Sequence, residues 1–270
     1  MNRQEITNFK REDKYILASQ NADVVFDLSS LSDKGVIEVN KSSNIDLLLV
    51  NPKEEIDLDI DIQEGANLRL ALFDAKEAKT IKINVNVAQN GYFSSYFADF
   101  IPGKCKGQIV INLNGLNATC DWHLASLSEK QDNKEFDVSV YHHSPSTFAY
   151  MDNYGVCRDN GKLLFSGVCH IIKGSSGSIA RQNAKIMVFD EKSNGIAKPI
   201  LKIDENDIQA SHAAIVGKIN DEHIFYLTSR GLTEEEAKRI ITLGYLKPIL
   251  AGFKDEEIRQ KIEDTIEGKM

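Results

Sequence analysis

Apolar and polar residues alternate along most of the chain, from about residue 23 to residue 217. In residues 56–62, isoleucine and leucine alternate strictly with aspartate, and the same period of two recurs in residues 81–87, 109–113 and 136–140. Strict alternation is typical of a β-strand with one buried face and one solvated face. Because Asn-Gly and Asn-Pro pairs separate the runs, the pattern predicts a series of short strands joined by turns.

The spacing of these strands limits the architectures that the chain can adopt. Strand centres recur at about 11 to 15 residues, and no long helical pattern lies between them. A doubly wound sheet needs such helices, so the spacing argues against it. A sandwich or barrel and a solenoid of stacked coils both remain. The alternation does not decide between them, and the sandwich is favoured only because it is the commoner architecture.

The last fifty residues change from a period of two to helical spacing. Capping and stop signals divide them into four helical segments. The signals are Asn220 and Gly231 for the first segment, Thr233 with Glu236 and then Gly244 for the second, the apolar spacing of 246–253 for the third, and Asp255 for the fourth. The predicted organisation is an N-terminal segment (1–22), a β-region (23–219) and a C-terminal helical domain (220–270).

Charge and cysteine content narrow the class of protein. The chain has 270 residues, with 32 Lys+Arg against 40 Asp+Glu and a net charge of −8. This balance argues against nucleic acid or an anionic membrane as the main partner. The first fourteen residues are polar and lack the apolar core of a secretion signal, and the four cysteines fit a reducing compartment. We therefore expect a cytoplasmic protein.

Candidate ligand chemistry is sparse along the chain. Asp57, Asp59 and Asp61 resemble the start of a calcium loop, but Ile62 and Leu68 stand where that loop needs glycine and glutamate. We interpret the three aspartates as the solvated face of a strand.

His212 has small neighbours that leave its imidazole accessible, and neutral imidazole is a ligand for iron or zinc. A structural histidine that joins the β-region to the helices fits the residues equally well.

Aromatic residues and an arginine occur together just after the β-region. Tyr226 and Arg230 lie in the stretch 224–232, and both residue types are enriched at protein interfaces. Packing of a capped helix against the β-region explains the same residues.

Residues 207–232 resemble the C-terminal signature of the SufB/SufD scaffold proteins of iron–sulfur cluster assembly. The residues that carry the resemblance fall in the same order as in that family. They are Phe165-Ser166-Gly167, Arg181-Gln182, Pro199 to Ile203, Ser211-His212, Ser229-Arg230-Gly231, Glu235-Glu236-Ala237 and Gly244 to Pro248.

The resemblance implies a mainly β fold, a right-handed parallel β-helix followed by a small C-terminal helical domain. This replaces the sandwich favoured above. It also implies that the chain pairs through its β-helix, with itself or with a SufB/SufD paralogue. The C-terminal helices would bind a SufC-like ABC ATPase. The expected ATPase-binding residues are Tyr226, Arg230, Glu235 and Glu236.

The resemblance further implies that His212 binds a nascent iron–sulfur cluster. Cys157 and Cys169 lie within the matched region and are the candidate thiolate ligands. Three positions depart from the family pattern: Ala213 replaces a glycine, Lys202 replaces a glutamate, and residues 190–194 contain no cysteine. The choice between a SufB-like and a SufD-like role is left open.

The predicted function is that of a non-enzymatic scaffold subunit in cluster assembly. One alternative is a β-helical enzyme acting on carbohydrate or acyl substrates. That enzyme would need a general acid, and none stands out in sequence near the aspartates at 57, 59 and 61. Another alternative is a paralogue without cluster chemistry that only organises the ATPase.

Overall fold

The chain winds into a parallel β-helix in the computed structural model, which describes residues 4–5, 14–31, 34–73 and 80–268. The odd-numbered strands form a nine-stranded sheet and the even-numbered strands an eight-stranded sheet. Each coil thus adds one strand to each sheet, in parallel with the coil before it. The parallel β-helix is confirmed, and the two-layer sandwich of antiparallel hairpins is wrong.

The strands lengthen toward the C-terminal half of the β-helix. They are β1 (Gln4–Glu5), β2 (Lys14–Leu17), β3 (Ala22–Asp27), β4 (Lys34–Val39), β5 (Asn44–Val50), β6 (Glu55–Ile62), β7 (Asn67–Phe73), β8 (Thr80–Val87), β9 (Tyr92–Asp99), β10 (Lys104–Leu113), β11 (Thr119–Glu129), β12 (Asn133–His142), β13 (Phe148–Arg158), β14 (Lys162–Ile171), β15 (Ser178–Val188), β16 (Asn194–Ile203) and β17 (Ile208–Lys218).

Register pairing turns the alternation into columns of stacked side chains. Ile60 pairs with Val85, Val85 with Ile111, and Ile111 with Val140, and all four are buried in the interior. The alternate residues form the outer face. On this face the carboxylate of Asp59 forms a salt bridge of 2.7 Å with Nζ of Lys34, as expected for a solvated strand face.

The β-helix begins before the predicted boundary at residue 23. Strand β1 pairs with β3, and β2 pairs with β4, both in parallel. Tyr15 and Leu17 of β2 are buried in the same core as the later coils. The segment 1–22 therefore contributes the first strands, although residues 6–13 lie outside the described residues.

The C-terminal region contains α1 (Asp221–Thr228), α2 (Glu234–Leu246), a 3-10 helix (Lys247–Gly252) and α3 (Glu256–Gly268), and a further short 3-10 helix follows β3 at Leu28–Ser30. The N-cap at Asn220 and the capping box of Thr233 with Glu236 are confirmed. The predicted stop at Gly244 was wrong, because α2 continues to Leu246. The third predicted helical segment is the 3-10 helix that follows it.

The helices after α1 pack on the outer face of the nine-stranded sheet. Ala98 and Ala125 leave room there for Leu246, Ile249 and Phe253, which are buried in a second apolar core. This packing explains why α2 extends beyond Gly244, since Leu246 gains burial by continuing the helix. Among the described residues, no helix is both long and apolar enough to cross a membrane.

Candidate functional site

The C-terminal end of the β-helix is open, because β16 and β17 are the last strands of the two sheets. Ile203 continues the buried column that contains Ile171, yet it is 43% exposed. Val216 likewise follows the buried Ile186 and is 45% exposed. The last coil therefore exposes apolar side chains at positions that are interior in the preceding coils. Its strands also have free edges, and such edges can pair with another chain. We call this surface, formed by β16 and β17, the open end.

His212 lies at the open end, on the inward face of β17. Its column contains Trp122, Met151 and Gln182, which pair in register and are all buried. His212 is exposed because it belongs to the last coil. Ser211 and Ala213 face the other side of the strand, so the residues beside the imidazole on its own face are Ala210 and Ala214. His212 is thus accessible because it lies in the last coil, whereas its role as a ligand stays a prediction.

A glycine shapes the interior below His212. Gly167 has a φ of 149°, and a Cβ atom there would overlap the Val138 carbonyl oxygen. The Gly167 carbonyl oxygen accepts a hydrogen bond of 3.3 Å from Nε2 of Gln182. The motifs around Gly167, Gln182 and His212 are distant in sequence, but the coils bring them to one place.

Cys169 lies inside the β-helix rather than at the open end. Its Sγ is 3.7 Å from Nε2 of His142, and Leu201 of the next coil pairs with it. Burial raises the pKa of the Cys169 thiol to about 12. A thiol with such a pKa is protonated at neutral pH, whereas a metal ligand must be a thiolate.

His142 is a buried neighbour of Cys169 with a second polar partner. Its Nδ1 lies 2.7 Å from the Thr147 hydroxyl. Burial, and then the neighbouring His143, lower the pKa of His142 to about 4. The imidazole is therefore neutral at pH 7, and its two nitrogens face a hydroxyl and a thiol.

Cys157 lies near the end of β13, whereas Cys169 lies near the end of β14, so the two thiols occupy opposite ends of one coil. The Cys157 Sγ is 3.8 Å from the Asn194 carbonyl oxygen. Burial, reinforced by the charge of Asp190, raises its pKa to about 12. The structure does not bring His212, Cys157 and Cys169 together. In the described part of the chain, no three His, Cys, Asp or Glu side chains are grouped to hold a metal ion.

The predicted ATPase-binding residues begin on α1, whose residues are all exposed or half-buried. Phe225 is 74% exposed and Tyr226 is 53% exposed. The guanidinium carbon of Arg230 lies 4.7 Å from the centroid of the Tyr226 ring, a cation–π contact that orients both side chains. The chain thus presents a preformed aromatic and cationic surface, formed by α1 and by Arg230 just after its end.

Glu235 and Glu236 differ in their surroundings. Glu236 accepts a hydrogen bond of 2.7 Å from the Thr233 backbone N–H and closes the capping box of α2. Glu235 is exposed and lies 3.5 Å from Lys238. Glu236 therefore has a structural role in α2, whereas Glu235 is accessible to a partner.

Neither the open end nor the buried position of Gln182 in the β-helix interior was identified from the sequence. The available signal was the phase of the alternation, because Gln182, Ile203 and Val216 all fall at inward positions of their strands. A polar side chain that points into the interior needs a hydrogen-bond partner there. An apolar side chain at an interior position of the last strand needs another surface to cover it.

Comparison with known proteins gives one family and several relatives. Residues 27–245 match the family described as "SUF system FeS cluster assembly, SufBD core domain". The iron–sulfur cluster assembly protein SufD of Bacillus subtilis is 31% identical over 159 residues, which cover 59% of this chain and 36% of that protein. SufB of the same organism is 26% identical over 148 residues, or 54% of this chain and 32% of that protein. A SufBD family protein of Mycobacterium bovis is 29% identical over 142 residues, or 52% of this chain and 17% of that protein. The matched segments thus cover well under half of each relative.

Proposed function

The chain belongs to the SufB/SufD family of iron–sulfur cluster assembly proteins, and we propose that it is a scaffold subunit of a SUF-type assembly complex. In this role it binds a nascent cluster transiently and holds the other subunits in place. The observation that carries the proposal is the exposed imidazole of His212 at the open end, surrounded by apolar residues in the inward phase of the last coil.

The exposed apolar residues of the open end support pairing with another β-helix, which this role requires. The exposed side chains of Ile203 and Val216 continue buried columns, so a second β-helix placed there would cover them. The edges of β16 and β17 offer backbone groups to the same partner. We propose that this partner is a second copy of the chain or a SufB/SufD paralogue, since closed two-fold dimers are the commonest oligomers.

A nascent cluster at the paired open ends would be held by His212 and by ligands from the partner. Cys157 and Cys169 are buried protonated thiols away from His212, so they would have to move and ionise before binding iron. Thiolates supplied by the partner or by inorganic sulfide need no such rearrangement. We therefore place His212 first among the candidate ligands of this chain.

The ATPase would bind at α1 and the exposed face of α2. Phe225, Tyr226 and Arg230 supply the aromatic and cationic side chains typical of an interface centre, and Glu235 adds an accessible charge. ATP-driven movement of such a partner would act on the β-helix through α2, which packs on the sheet by the contact of Tyr245 with Tyr154.

The proposal is tested by anaerobic purification of the chain with and without a SufC-like ATPase, followed by reconstitution and assay of iron and sulfide. We expect a stable complex with the ATPase, and cluster-bound iron and sulfide that depend on the pairing of the chain. A complex that retains neither iron nor sulfide contradicts the cluster-binding role.

A second candidate is a paralogue that organises the ATPase without holding a cluster. The burial of all four cysteines favours it, since none offers an accessible thiolate. This candidate predicts ATPase binding with no retained iron or sulfide under the same conditions. The same purification therefore separates the two functions.

A further inference from the structure

We propose that Gln182 is a positioning residue for His212: rotation of the exposed His212 side chain toward its register partner brings one ring N–H of the imidazole to the unpaired Oε1 of Gln182, which accepts a hydrogen bond from it. The other ring nitrogen is then left with its lone pair directed to the open end, where a metal ligand is needed. This inference rests on the proposed role of His212, but its main test requires no iron.

Gln182 and His212 lie side by side in the last two coils of the nine-stranded sheet. Gln182 of β15 and His212 of β17 are direct partners, and both lie on the inward face. Neighbouring strands are about 4.8 Å apart, so the two side chains leave their backbones side by side. His212 is the residue of the following coil that stacks on Gln182.

The orientation of the Gln182 amide is fixed by the strand below. Nε2 donates to the Gly167 carbonyl oxygen at 3.3 Å, and a carbonyl can only accept, so this end of the amide must be the nitrogen. Oε1 must therefore face elsewhere. Among the described residues it has no hydrogen-bond partner, although Gln182 is only 3% exposed.

An unpaired buried carbonyl oxygen is costly, and a nearby donor relieves the cost. Neutral imidazole carries one N–H, which is on either nitrogen in solution. An acceptor at a fixed position selects the tautomer that points its N–H at it. Metal-binding histidines are generally held in this way, by a hydrogen bond to the nitrogen that does not bind the metal.

The test is nitrogen-15 NMR of the histidine rings in the full chain, at a mildly alkaline pH where imidazole is neutral. His212→Ala identifies the His212 signals. Gln182→Met keeps the size of the side chain but removes the acceptor, and Gln182→Glu keeps an oxygen acceptor. Gln209→Met makes the same chemical change on the opposite face of β17 and is the matched control.

We expect one tautomer of His212 to dominate in the unsubstituted chain and in Gln209→Met. In Gln182→Met the ratio of the two tautomers should fall about fivefold, which corresponds to loss of one ordinary hydrogen bond. Gln182→Glu should restore the dominant tautomer. A purely structural link from Gln182 to Gly167 would leave the ratio unchanged in every folded variant.

An unchanged tautomer ratio in Gln182→Met overturns the inference. If that variant does not fold, an equal mixture of tautomers in folded Gln182→Glu overturns it as well. Iron retention separates this outcome from failure of the proposed function. A tautomer ratio that depends on Gln182, with iron retention that does not depend on His212, supports the positioning and rejects the cluster role.

Discussion

At the scale of single residues, His212 differs from every other member of its column because nothing follows it in the β-helix. Trp122, Met151 and Gln182 are buried by the next coil, whereas the imidazole is left accessible. Residues that end a column contribute little to the core. Core packing therefore does not restrict which residue occupies such a position. Substitution there should affect binding more than folding.

Replacement of His212 by alanine tests this separation. We expect the free energy of unfolding to change by no more than about 0.5 kcal/mol, because the side chain is exposed. Iron and sulfide retained after anaerobic reconstitution should fall strongly. Thermal unfolding and metal assay are measured on the same preparation, with the exposed His223 replaced by alanine as the control. A lower melting temperature with unchanged iron would reject a ligand role.

His142 leads to a prediction about pH. Its pKa is about 4 in the folded chain and about 6.5 when unfolded. Between these values the unfolded state binds more protons, so the free energy of unfolding falls as the pH is lowered from 6.5 toward 4. The contribution of His142 to the free energy of unfolding falls by about 3 kcal/mol over this range, and it is constant above pH 6.5.

Urea unfolding of the parent chain and His142→Gln at pH 7 and at pH 4 measures this effect. The variant loses the Thr147 and Cys169 contacts at both pH values, so only the difference in pH dependence is informative. We expect the free energy of unfolding to fall less between pH 7 and pH 4 in the variant than in the parent chain, because the two chains have all other titratable groups in common. Equal declines in the two chains would contradict the prediction.

At the scale of secondary structure elements, the sequence predicts strands better than it predicts their partners. The alternation in residues 56–62 matches β6 because one face of that strand is buried and the other solvated. The same alternation suits an antiparallel sandwich, and pairing partners more than twenty residues away leave no trace in it. Only the resemblance to a family distinguished the β-helix.

Local signals predict where helices begin better than where they end. Asn220 and Thr233 cap their helices through their own side chains, and such caps depend on nearby residues alone. The end of α2 depends on burial of Leu246 against the sheet, which no local pattern contains. Gln182 was missed for a related reason, since its partners Gly167 and His212 lie in other coils.

The last coil provides a test of pairing at the scale of one strand. Val216→Asp places a carboxylate in the inward phase of β17, where the proposed partner would bury it. A buried unpaired charge costs about 3 kcal/mol, so the dissociation constant of the dimer should rise about a hundredfold or more. Light scattering across a range of protein concentrations measures the change.

Ile16→Asp is the matched control for this variant, because Ile16 is 45% exposed on β2 at the opposite end of the β-helix. It should leave the association unchanged. A parent chain that is monomeric at micromolar concentration would reject self-pairing. Dimers that persist equally in both variants would place the interface away from the open end.

At the scale of the whole molecule, the C-terminal region has two distinct parts. Helices α2 and α3 and the 3-10 helix between them cover the nine-stranded sheet and share its outer apolar core. Helix α1 remains outside that core, with exposed aromatic residues. Deletion of everything after Gly231 would uncover the sheet, so it would mix loss of ATPase binding with loss of stability. Substitutions on α1 avoid this problem.

The double variant Phe225→Ala, Tyr226→Ala therefore tests ATPase docking with the fold intact. Both side chains are more than half exposed, so the melting temperature should change little. Aromatic residues at an interface centre each contribute about 2 kcal/mol or more, so co-purification of a SufC-like ATPase should be lost.

Leu116→Ala is the control, because Leu116 is 42% exposed on a turn of the β-helix far from α1 in sequence. ATPase recovery equal to that of the parent chain would place the docking surface elsewhere. Loss of the ATPase in the control as well would point to a general defect of the complex.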